Sequence, residues 1–112
     1  MSRALIITRF LEALTTKEIN SKSFDAKMEK LAEKHGFELT FNDSRKSDSV
    51  YYTFGTPDWV EGYEIRISDH YYNSMSDKFY YIEDWKNATE LLKDLEKHLL
   101  EFKKKHIEHW DY

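Results

Sequence analysis

The chain contains no cysteine, which excludes disulfides and thiolate zinc sites and fits a reducing interior such as a cytoplasm. Pro57 is its one proline, and its three glycines at 36, 55 and 62 are scattered. There is thus no Pro/Gly-rich linker to mark a domain boundary, and no glycine-rich loop to cradle a phosphate. No apolar run approaches the ~20 residues of a membrane span, and Ala4-Leu5-Ile6-Ile7 is too short for a signal-peptide core. With 112 residues and no internal repeat, the expectation is a single domain over 1–112, cytoplasmic and without a membrane partner.

What the chain does carry is unevenly placed. The net charge is −4, but residues 1–40 contribute +1, residues 41–84 contribute −5 and residues 85–112 contribute 0. The acidic middle also holds eleven of the eighteen aromatics: Phe41, Tyr51, Tyr52, Phe54, Trp59, Tyr63, Tyr71, Tyr72, Phe79, Tyr80 and Tyr81. Direct nucleic-acid binding needs a positive stripe, which this region lacks. A basic protein partner suits it better, with Tyr and Trp as anchors and carboxylates steering the approach.

The periodicities predict an α+β fold: two N-terminal helices, a four-stranded antiparallel β-meander and a long C-terminal helix packed on one sheet face. Leu5, Ile6, Phe10, Leu11 and Leu14 suit an amphipathic helix over 3–14. Ser21 or Ser23 caps a second helix bearing Phe24, Met28, Leu31 and His35, and Gly36 stops it. Phe37-Leu39-Phe41, Val50–Phe54, Tyr63–Ser68 and Lys78–Ile82 read as strands, and their short connections favour antiparallel pairing. Asp84, or Asn87 with Glu90, opens the last helix. Its seams Trp85/Leu92/Leu99/His106 and Ala88/Leu95/Phe102/His109 are read as packing on the sheet, with a homodimer through this helix as the sharper alternative.

Ser68-Asp69-His70 invites comparison with a hydrolase triad. Neighbours on a strand end point to opposite faces, so the three side chains are not expected to form a relay, and no Gly-x-Ser-x-Gly elbow is present. They are read as turn-shaping residues, and no catalytic residue is assigned. His106 and His109, with His98 and Glu101 upstream, have spacing that could share a metal, but two histidines lack further ligands and also suit a helix C-terminus. No metal and no cofactor are assigned. Lys103-Lys104-Lys105 is balanced by Glu101 and Glu108 and reads as a solvated face.

The remaining feature is the acidic-aromatic middle. Both faces of its strands carry aromatics, so some rings stay at the surface among carboxylates, as at an interaction site. The partner-binding set is Asp58, Trp59, Glu61, Glu64, Asp69, Tyr71, Tyr72, Asp77, Glu83 and Asp84. The string Tyr63–His70, YEIRISDH, resembles a hairpin segment of small and polyvalent proteins encoded by phages and other mobile elements. In format the chain is similar to phage-encoded inhibitors of host defence, anti-CRISPR proteins among them. That likeness implies a non-enzymatic protein that binds a host nuclease stoichiometrically at its basic groove. The alternatives are an immunity or antitoxin-type protein, and a nucleic-acid-binding accessory protein using Arg45-Lys46, Arg66 and the lysines at 103–105. A small hydrolase or metal enzyme built on Asp69/His70 or His106/His109 is a further one.

Overall fold

The computed structural model describes residues 13–41, 48–59, 61–71 and 75–106. The helix expected over 3–14 lies almost wholly outside them. Helix α1 (Thr16–Ile19) is one turn, capped by Thr15, whose hydroxyl accepts from the Glu18 amide at 3.1 Å. Helix α2 (Lys22–His35) is capped in the same way by Ser21. It ends at Gly36, whose φ of 77° lets the Phe37 amide reach back to the Ala32 carbonyl at 2.9 Å. Such left-handed backbone is the reason a glycine stands there.

Four strands follow, β1 (Glu38–Phe41), β2 (Ser49–Gly55), β3 (Gly62–Ser68) and β4 (Lys78–Tyr81), in the spatial order β1-β2-β3-β4. A 3₁₀ turn (Ile82–Asp84) leads to helix α3 (Ala88–Lys105). Of the two proposed caps it is Asn87 that serves, its side chain accepting from the Glu90 amide at 3.0 Å.

The meander is antiparallel only as far as β3. Strand β4 pairs with β3 in parallel, with Ile65 opposite Lys78 and Ser68 opposite Tyr81. Short connections argued against a parallel crossover, but a four-residue strand needs to return only alongside the second half of β3. That distance is ~10 Å, well within the reach of the nine residues 69–77. Asp77 fixes the start of β4, its amide donating to the Glu64 carbonyl while its carboxylate accepts from the Glu64 amide, both at 2.8 Å.

Strand alternation divides the sheet into two unlike faces. Val50, Tyr52, Phe54, Ile65, Ile67 and Tyr80 are buried against Phe24 and Met28 of α2 and Leu91, Leu95 and Leu99 of α3. The hydroxyls that enter this core find acceptors on the helices. Tyr52 donates to Asp25 at 2.7 Å and Tyr80 to Asp94 at 2.8 Å. Burial and the Asp94 hydrogen bond push the Tyr80 phenol far above its ordinary range. The last helix buries Ala88, Leu95 and Leu99 of its predicted seam in the core against the sheet, as expected, and Leu91, absent from both predicted heptad rows, is fully buried with them. No described helix is long and apolar enough to cross a membrane.

Glu96 joins the two long helices, its carboxylate 2.6 Å from His35 Nε2 and 2.9 Å from Lys34 Nζ. These hydrogen bonds hold the Glu96 carboxyl below the carboxylate's ordinary 4.5. A group with a depressed folded-state pKa stabilises fully above its unfolded value, and that contribution fades as pH falls through the folded one. Glu96→Gln is expected to cost about 1 kcal/mol near neutrality and to lose less stability than the parent between pH 5 and pH 3, measured by urea unfolding. Parallel losses in the two proteins would remove Glu96 from the acid response.

Candidate interaction face

The second face of the sheet carries no described helix. Across it Tyr51, Arg66 and Phe79 form one row, and Ser49, Ser68 and Tyr81 the next. Arg66 is only 2% exposed. Its guanidinium carbon lies 5.1 Å from the Phe79 ring centre and 6.0 Å from that of Tyr51. Its Nη2 donates to Ser49 Oγ at 3.0 Å and to Ser68 Oγ at 3.3 Å, and approaches His70 Nε2 at 3.3 Å. The alternation Glu64/Arg66/Ser68 marked these positions as polar, but not that two of them would be buried under their neighbours.

At the far end of this network the reading of Ser68-Asp69-His70 needs correction. The three side chains do meet: His70 Nδ1 is 3.1 Å from Ser68 Oγ and 2.8 Å from Asp69 Oδ1. Opposite-face alternation ends with the strand at Ser68, and the following bend folds His70 back so that its amide also reaches Ser68 Oγ at 3.3 Å. The set is still no relay, which needs serine and carboxylate on opposite ring nitrogens. A guanidinium has only donors, so a hydrogen bond from Arg66 makes Nε2 the acceptor and leaves Nδ1 to donate toward Asp69 and Ser68. Ser68 is also fully buried, out of reach of a substrate carbonyl.

Asp48, Asp69 and His70 bring one ligand atom each within 4.8 Å of one another. The adjacent Arg66 guanidinium, 3.3 Å from His70 Nε2, opposes a cation there. The trio is accounted for as the closure of the β2–β3 end, where the Asp69 amide donates to the Asp48 carbonyl at 3.3 Å.

Beside this network the aromatics form a stack. Tyr71, 70% exposed, lies on Tyr81 with ring centres 4.4 Å apart and planes 26° apart, and on Phe79 at 5.7 Å. Its hydroxyl donates to Asp84 at 3.4 Å, and that of Tyr81 donates to Glu83 at 2.7 Å. The Glu83 hydrogen bond, followed by desolvation, pushes the Tyr81 phenol up to about 12. Desolvation and then Asp84 raise that of Tyr71. Both rings therefore stay neutral donors held by carboxylates over the working pH range.

At the other end of β2, ~20 Å away along β3, Trp59 folds over Gly55 on the same face. Its backbone sits at φ 59° and its ring is 48% exposed. The turn beneath it is built by Thr56, whose hydroxyl donates to Asp58 Oδ1 at 2.6 Å and whose amide donates to the Glu61 carbonyl at 2.9 Å.

The predicted set is thus partly assembled. Tyr71, Glu83 and Asp84 cluster, Asp69 lies beside them on His70, and Trp59 shares their face. Glu64 and Asp77 hold the β3–β4 edge, whereas Asp58 is spent on the turn. Glu61 instead lines a cleft of about 420 Å³ with Tyr63, His98, Glu101, Phe102 and His106. Tyr72 and His109 lie outside the described residues. Phe79, Tyr81 and Tyr51 belong to the face and were not in the set; strand alternation signalled that such rings must point outward. The comparisons add nothing to this geometry: no family model, curated protein or solved structure matches the chain.

Proposed function

We propose that the chain is a non-enzymatic binding protein that lays its helix-free sheet face on a basic, nucleic-acid-holding groove of a protein partner. The specific form of this proposal is a phage-encoded inhibitor that occupies the groove of a host defence nuclease. The observation that carries it is the Tyr71–Tyr81–Phe79 stack rimmed by Glu83 and Asp84, with Trp59 at the opposite end of the same face. Pre-stacked rings give up little conformational freedom on docking, and neighbouring carboxylates favour a positive partner. A nucleic-acid-binding role is less well supported. Arg66 is buried and Lys103 donates to the His35 carbonyl at 2.8 Å, so two of the cations it would use are engaged.

The test is affinity capture from a bacterial lysate with and without nuclease treatment, using the parent, Tyr71→Ala and the triple Asp69→Lys/Glu83→Lys/Asp84→Lys. A stoichiometric protein partner that survives nuclease treatment is expected. Its affinity should fall at least about tenfold with either variant, as for an anchor residue or a steering cluster. Recovery of nucleic acid alone, or undiminished capture by folded variants, would overturn the reading.

A further inference from the structure

The helical layer, on the opposite side of the sheet from the face just described, carries its own concave feature. A trough of about 330 Å³ runs between α2 and α3. Leu31 and Leu92 form its apolar floor, and Lys27, Lys30, Lys34 and Lys93 its rim. The three lysines of α2 stand at i, i+3 and i+7, one stripe of the helix. Lys34 is matched by Glu96, but Lys27, Lys30 and Lys93 make no ion pair among the described residues.

Lysine stems often cover apolar helix surface with their ammonium groups in water. That accounts for the stems, but not for unmatched charges of one sign gathered around one trough in a chain of net charge −4. Two acids of the same helices are committed elsewhere, Asp25 to Tyr52 and Asp94 to Tyr80 and His98. We infer that the trough between α2 and α3 docks an acidic amphipathic helix of a protein partner, its leucine-like side chains on Leu31 and Leu92 and its carboxylates at Lys27, Lys30 and Lys93.

Charge and shape select this occupant. A helix laid along two others extends ordinary helix packing, with apolar anchors at i, i+3, i+4 and i+7. A nucleic-acid strand would gain its phosphate contacts, but the floor is aliphatic and offers no ring on which a base could stack. An anionic membrane is met by protruding apolar side chains, not by a recessed pair. The chain's own N-terminal stretch carries Arg3 and Arg9 against Glu12, the same sign as the rim. The inference is independent of the proposed role of the sheet face and gives the protein a second surface of opposite charge.

The probe is a fluorescein-labelled leucine/glutamate peptide about four turns long, amphipathic at the helical period, titrated with the full chain and followed by anisotropy. Saturable binding is expected, weakened about tenfold by Lys27→Glu/Lys30→Glu, weakened also by Leu92→Ser, and unchanged by Glu83→Lys/Asp84→Lys on the sheet face. Circular dichroism melts confirm that each variant is folded. No binding would overturn the inference, as would equal binding of a serine/glutamate peptide of the same charge, which would leave the apolar floor unused. Equal binding of oligo-dT or of phosphatidylserine vesicles would also overturn it, by reducing the rim to a general anion patch.

Discussion

Arg66→Ala is expected to destabilise the protein by about 3 to 5 kcal/mol, the range for emptying a fully buried site and leaving its polar neighbours without their donor. The side chain is 2% exposed and one of its nitrogens reaches Ser49, Ser68 and His70. Truncation opens a cavity beneath Tyr51 and Phe79 and removes the charge that orients the His70 ring. Arg66→Met fills most of that volume and no longer keeps a cation from water, so it should cost less than half as much. Urea unfolding followed by circular dichroism separates the two. A methionine variant as unstable as the alanine one would mean that the guanidinium hydrogen bonds, and not the space they occupy, hold this end of the sheet. Arg66→Lys should resemble alanine more than methionine, since an ammonium has no flat face to set against the Tyr51 and Phe79 rings and is more strongly hydrated.

That position also shows where sequence reasoning succeeds and where it stops. Period-two alternation placed Ile65 and Ile67 in the core and Glu64, Arg66 and Ser68 on the other face, and the register bears this out. Alternation reports the face and not the burial, because burial depends on the partners across the sheet. Tyr51 and Phe79, which sandwich Arg66, come from strands fifteen and thirteen positions away in sequence. Capping signals are local, which is why Ser21, Gly36 and Asn87 delimit their helices as read. The parallel pairing of β4 turns instead on how far back the strand must reach, a tertiary quantity. In the candidate face, Tyr71, Glu83 and Asp84 were legible as an acidic-aromatic group, but their stacking partner Tyr81 is fixed by register alone. The meeting of Ser68, Asp69 and His70 was missed because a bend, unlike a strand, sets no rule for side-chain direction.

Gly55→Ala is the second substitution with a large expected effect. A Cβ built there falls 2.8 Å from Trp59 Cη2 and closer still to Cζ3 and Cε3, so the indole must leave its seat or the strand end must shift. Overpacking of this kind costs about 1 to 3 kcal/mol. Trp59 sits at φ 59°, a conformation that favours glycine, and the ring's contact with Gly55 helps to hold it there. Trp59→Gly therefore relieves backbone strain while losing a half-exposed ring, and should stay within about 1 kcal/mol of the parent. The double variant should recover most of the stability lost by Gly55→Ala alone, a strongly non-additive cycle of the kind expected for residues in contact. Additive losses would show that ring and glycine do not touch in solution. The same cycle bears on function, because a displaced indole removes the anchor at one end of the proposed docking face. Gly55→Ala should then weaken partner capture as much as Trp59→Gly does, although the glycine itself offers the partner no side chain.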